Sequence, residues 1–300
     1  MSDTALVRAP DDTLPDPAGD TREIQPYRVP VPGRTWRSAA RFFVLVGGSA
    51  AIGVGVATGG LTVAAAALLA VTLATGQVLA QTWRQNRLGQ AVVGGISLGD
   101  LDAAQVAAER ALVESPAGVM RTLAASNLAS VLIQRDRVDE AAAILDKYPP
   151  GILHMPLATV LWLNNRAFAH LASGTPEGPD AATPLLDEAE RRLGKASARD
   201  LGGPQNSRKL IAAVAGTRAI ERVEHKDGRA ALAHLERARQ VDDGPSTSYR
   251  TVERELCRAE ALRLTGRADE ATLAVGALTD TPMTERQRAR MTRVSTKLGL

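Results

Sequence analysis

The chain has 300 residues, 45% of them hydrophobic and only 3% aromatic, with a formal net charge of +3. That length supports one or two domains, and so small a charge without any run of five like charges excludes a nucleic-acid footprint. The only cysteine, Cys257, rules out an internal disulfide and a cysteine metal cluster.

Residues 1–38 come first, with Pro10, Pro15, Pro17, Pro26, Pro30 and Pro32 set among Asp, Thr, Gly and Arg and no periodic apolar face. Such a segment cannot bury enough surface to offset its ordering entropy, so it is expected to be a disordered, Pro-rich tail. "PYRVPVPGR", 26–34, has the composition of a polyproline II ligand or, more plainly, of a spacer.

From Phe42 to Ala80 there is no charged side chain. One helix over that stretch would be about 58 Å long, roughly twice the thickness of a hydrocarbon core. Two helices, about 40–57 and 61–81, fit instead. Residues 39–82 are therefore expected to form a transmembrane helical hairpin with its turn at 58–60, where Gly59 and Gly60 tolerate positive φ. Arg34, Arg37 and Arg41 precede the stretch and Arg84 and Arg87 follow it, which puts both termini in the cytoplasm. The Arg-over-Lys and Ala-rich composition resembles that of a GC-rich bacterial genome, so the membrane is expected to be a bacterial inner membrane. Ala51, Gly55 and Gly59 follow small-xxx-small spacing, so a second hairpin could pack there as a homo-oligomer. A single span over 61–80, with the rest of the chain outside the cytoplasm, and a buried core in a soluble protein are the alternatives.

After Trp83 the sequence repeats itself. Ala104, Ala141, Ala182, Ala231 and Ala271 each open a helix, with Ala108, Leu145, Leu186, Leu235 and Val275 four positions on and Ala111, Tyr148, Ala189, Ala238 and Leu278 seven positions on. These offsets share one helix face. "NLA" (127–129), "NRA" (165–167), "TRA" (217–219) and "CRA" (257–259) mark a preceding helix for the later four. The unit is a helix pair recurring every 37 to 50 residues, roughly, and stacked pairs bury a core that one pair cannot. "TERQRARMTRVSTKLG", 284–299, is expected to be a polar capping helix, and Trp83 to about Ser97 the first helix of a degenerate leading pair.

"SNLASVLIQRDRVDEAAAIL" and "CRAEALRLTGRADEATLAVGAL" resemble the helix–turn–helix of the tetratricopeptide repeat (TPR) family. The repeat length is irregular, the large aromatic early in the first helix is mostly missing, and 173–180 and 194–206 are insertions. The expected fold is all-α: a transmembrane hairpin followed by a TPR-like α-solenoid over 83–300. In that family an Asn on the first helix can hold the backbone of an extended peptide, so the resemblance implies Asn127 and Asn165 as peptide-binding residues. Thr217 and Cys257 stand at the later matching points.

No metal-ligand spacing joins His154, His170, His225 and His234, and no phosphate-binding glycine loop follows a strand. The acid pairs Asp139/Glu140 and Asp269/Glu270 suit the positive ends of helices. Neither an enzyme, a cofactor nor a metal is expected. The expected function is a membrane-anchored scaffold or adaptor that binds partner proteins or peptides at the cytoplasmic surface, with 39–82 in the lipid bilayer. An extracytoplasmic role in envelope assembly and a small oligomeric channel or transport subunit are the alternatives, although a span without ionisable residues offers no ion path.

Overall fold

A computed structural model describes residues 63–115, 118–151, 155–241 and 248–300. The expectations for the tail at 1–38, for the first crossing and turn of the hairpin, and for the Ala51, Gly55 and Gly59 face lie outside those residues. Among the described residues there are eleven α-helices and no strand. They are α1 (Val63–Leu98), α2 (Leu101–Glu114), α3 (Val119–Gln134), α4 (Val138–Lys147), α5 (Pro156–Ala172), α6 (Gly178–Lys195), α7 (Pro204–Glu224), α8 (Gly228–Val241), α9 (Ser248–Leu264), α10 (Ala268–Gly276) and α11 (Glu285–Leu298).

Consecutive helices pair as α1/α2, α3/α4, α5/α6, α7/α8 and α9/α10, and the first helices of successive pairs also touch, α3 on α5, α5 on α7 and α7 on α9. Four of the five turns share one hydrogen-bond design. A residue one or two positions past the helix end takes positive φ, at Gly99, Asp136, Lys226 and Gly266. The next N–H then reaches back to a carbonyl five residues earlier, as in Arg137 to Leu132, Asp227 to Arg222 and Arg267 to Leu262. This satisfies carbonyls that the helix end leaves without partners. At Asp136 and Lys226 a side chain accepts a conformation that glycine adopts with less strain. The fifth turn, between α5 and α6, is the longer one expected at 173–180, though α6 already begins at Gly178.

The small residues lie where the periodicity put them. Ala104, Ala141, Ala182, Ala231 and Ala271 are fully buried, as are Ala129, Ala167, Ala219 and Ala259 on the partner helices. A Cβ on Gly228 would fall 2.6 Å from the Ala261 carbonyl oxygen, and one on Gly178 2.4 Å from that of His170. Second helices thus start directly against the backbone of their neighbours. Arg137 and Arg267 each hold the Glu three positions on, Glu140 and Glu270, at 2.7 and 2.6 Å from Nε. The repeated Arg-x-x-Glu is a local pair at the start of the second helix.

Two findings modify the sequence expectation at the N-terminal side. The second proposed crossing and the first helix of the leading pair are one continuous helix, α1, of 36 residues. Its C-terminal part packs through Leu88, Val92 and Ile96, with Gln85 accepting from the Ser115 hydroxyl, while Ala65, Thr72, Gly76 and Ala80 are exposed. Most side chains of 63–82 are not described, and among the described residues no helix is long and apolar enough to cross a membrane. The hairpin over 39–82 is therefore not a feature of the described structure.

The far end of the stack returns on itself. Helix α11 opens with a capping box between Thr284 and Gln287, ends at Gly299 in the left-handed region, and packs on α9 and α10. Its Arg286 backbone N–H donates to Asp136 Oδ2 at 2.7 Å and its Nε to Oδ1 at 3.1 Å, joining residues 150 apart in sequence. The same guanidinium binds Glu253 Oε1 at 2.8 Å and lies 5.3 Å from the centre of the Phe168 ring. Arg286→Ala would leave the partly buried Asp136 carboxylate unpaired and take from Glu253 one of its two arginines, and is expected to cost about 2 kcal/mol. Thermal denaturation of the full chain checks this, with Arg288→Ala, at an exposed position of the same helix, as the neutral comparison.

Candidate partner-binding chamber

The first helices α3, α5, α7 and α9 face a common hollow, closed at one side because Arg286 ties α11 and α9 to the α3–α4 turn. The hollow encloses about 660 Å³, part of it open to solvent. Ile133, Phe168 and Ile220 make its apolar wall, and Ser130, Asn164, Asn165 and Thr217 supply polar groups. Arg250, Glu253 and Arg254 of α9 stand on the remaining side.

The two asparagines expected to bind peptide are placed differently. Asn165 lines the hollow, but its amide nitrogen donates to the Ser126 carbonyl at 2.8 Å and to Ser130 Oγ at 2.9 Å. It therefore ties α5 to α3. Asn127 is half-buried on α3 and is not among the lining residues. The polar group of the wall left without a partner is the neighbour that the periodicity passed over. Asn164 is 6% exposed and its Oδ1 is buried with no hydrogen-bond partner. A buried acceptor without a donor costs free energy that a ligand N–H or O–H would recover. The adjacent pair Asn164-Asn165 was the signal available in the sequence, but offsets from the packing alanine single out only Asn165.

The charged groups around the hollow are bound up in packing. Arg290 of α11 is 5% exposed and reaches Glu260 Oε2 at 2.9 Å from Nε and Glu253 Oε2 at 3.1 Å from Nη1. Burial alone would lower the Arg290 pKa, but Glu260 and Glu253 raise it overall. Burial, with Glu253 next, pushes the Tyr249 phenol up. Cys257 lies between the two acids on α9, and burial pushes its thiol up to about 12. Trp162 Nε1 donates to the Leu145 carbonyl at 2.9 Å, fixing α5 against α4. A second buried cation, Arg218 of α7, pairs with Glu190 of α6 at 3.0 Å. Among the described residues no group of three or more His, Cys, Asp and Glu side chains could hold a metal ion.

No family model matches the sequence, and no curated protein matches it. Among solved structures the chain is similar to a tetratricopeptide repeat protein from Parabacteroides merdae, at 14% identity and a TM-score of 0.31. That match covers 71% of this chain and 86% of the other. The helical-repeat architecture rests on the pairing and turns of this chain itself.

Two outcomes follow from this geometry. Asn165→Ala removes both donors to α3 and is expected to cost about 1–2 kcal/mol, whereas Asn127→Ala stays within about 0.5 kcal/mol, as urea denaturation would measure. Native Cys257 is expected to resist iodoacetamide at about pH 8 and to react only on unfolding, because the thiolate is the nucleophile. The raised folded pKa also makes the linkage one-sided. The stability it contributes is complete below the ordinary 9.0 and is lost as pH rises toward about 12.

Proposed function

We propose that this chain is a helical-repeat scaffold that holds partner proteins by seating a short peptide element in the chamber between α3, α5, α7 and α9. The observation that carries this reading is the buried, unpaired Asn164 Oδ1 on the wall of a hollow that also offers an apolar surface of Ile133, Phe168 and Ile220. Its size suits one or two side chains with their backbone rather than an extended peptide along the whole stack. A donor on the ligand would meet Asn164, and an apolar group would cover Ile133, Phe168 and Ile220. Repeat domains commonly bind through such a concave face. TPR-like repeats are the finer reading of these helix pairs.

The scaffold is held at a membrane by residues 39–82 in this proposal. The support is in the sequence: no charge from Phe42 to Ala80, cations at both flanks, and indoles at Trp36 and Trp83 just outside them. The continuity of α1 would join such an anchor to the repeats without a hinge. Both termini then face the cytoplasm.

Peptides selected from a display library on the full chain in nanodiscs should bind saturably. Gly216 lines the chamber and a Cβ there meets nothing within 4 Å, so Gly216→Leu fills the space without a backbone clash. It is expected to abolish that binding with an unchanged or raised melting temperature, and Asn164→Ala to weaken it about tenfold. Equal affinity in wild type and Gly216→Leu would sink the chamber reading. The anchor is tested separately by protease treatment of spheroplasts carrying a C-terminal tag. Protection until permeabilisation is the expected result, and digestion in intact spheroplasts would place the repeats outside.

A further inference from the structure

A second hollow lies where the C-terminal ends of α5, α7 and α9 meet one face of α11, and it shares no lining residue with the chamber. It spans about 1020 Å³ including its open side. Lys226 after α7, Arg263 in the last turn of α9, and Arg293 and Lys297 on α11 all line it. None of these four holds a carboxylate among the described residues, and Arg263 Nε is buried with no hydrogen-bond partner. The acids of the cleft are Glu224 and Glu260, and Glu260 is already engaged by Arg290. Cations near helix C-termini complement the helix dipole, which accounts for Lys226 and Arg263. It does not account for Arg293, which stands in mid-helix, nor for a guanidinium nitrogen buried without an acceptor.

We propose that this cleft binds an acidic peptide segment of a partner protein, with Arg263, Arg293, Lys297 and Lys226 meeting its carboxylates. The cations are spread over three elements around a wide cleft, which suits charges distributed along a chain better than one compact anion. Arginine forks take carboxylates in pairs, and Ser173 and Thr175 add hydroxyls at the rim. No aromatic ring lines the cleft, so nothing there would stack a nucleobase. The inference shares with the proposed function the reading of the chain as a protein-binding scaffold, but it uses a different site.

The test is fluorescence anisotropy of the full chain in nanodiscs of neutral lipid with a labelled Glu/Ser peptide and a matched Gln/Ser control. The acidic peptide is expected to bind more weakly as salt rises, and the control not to bind. Arg293→Glu with Lys297→Glu, both exposed and outside the packing network, should weaken binding about tenfold or more, with the circular dichroism spectrum unchanged. Gly216→Leu should leave it intact, which separates a failure here from a failure of the chamber reading. Unchanged affinity in the double reversal overturns the proposal. So does competition by pyrophosphate as strong as by unlabelled peptide, which would make this a phosphate site. A rise in affinity on deleting residues 1–24, which carry Asp3, Asp11, Asp12, Asp16, Asp20 and Glu23, would make the chain's own segment the occupant and overturn the assignment to a partner.

Discussion

The junction at Arg286 is the contact on which the shape of the binding face depends. Asp136 is held in a left-handed turn by the hydrogen bonds that end α3. From that position its carboxylate meets both the backbone N–H and the guanidinium of Arg286. The same carboxylate thus serves as a remote cap for the first turn of α11, where a helix offers unpaired donors and a partial positive charge. Glu253, the Tyr249 hydroxyl and the face of Phe168 also meet the guanidinium. Without this contact the first helices would still stack in order, but α9 and α11 would lose their tie to the α3–α4 turn across the chamber.

The stacking itself was legible in the sequence because it follows from spacing. An alanine at each crossing, a larger residue four positions on and a turn before it recur often enough to read, and the buried alanines fall at those positions. The turn chemistry was only half legible: Gly99 and Gly266 announce positive φ, whereas Asp136 and Lys226 do not. Closure of the stack left no trace in the pattern. Asp136 and Arg286 look like any loop acid and any helix-surface base until the fold brings them together. The asparagines show the limit on a smaller scale. Position along the helix put Asn165 on the inner face, but a neighbouring helix claimed its donors, and the group left unpaired belongs to Asn164.

Charge on the inner side of the stack is divided between two tasks. Along α9, Glu253 and Glu260 lie one above the other and grip Arg286 and Arg290 of α11, so that the helix docks through ion pairs beside the apolar contacts of Met291, Val294 and Leu298. Such buried pairs are costly to break and add modest net stability, but they fix one register. Further along the same face of α11, Arg293 and Lys297 stay uncommitted. One short helix therefore supplies both the closure of the chamber and half of a basic cleft.

The bridge from Asp136 to Arg286 also changes how the domain comes apart. In an open solenoid each repeat touches only its neighbours, and the ends fray first. Here the last helix is fastened to the second pair across 150 residues, so it cannot peel away without breaking its contact with the middle of the domain. Formation of that contact must wait for loop closure, which slows folding. Unfolding should approach one concerted transition, giving α11 amide protons exchange protection close to that of the buried core rather than the low values of a terminal helix.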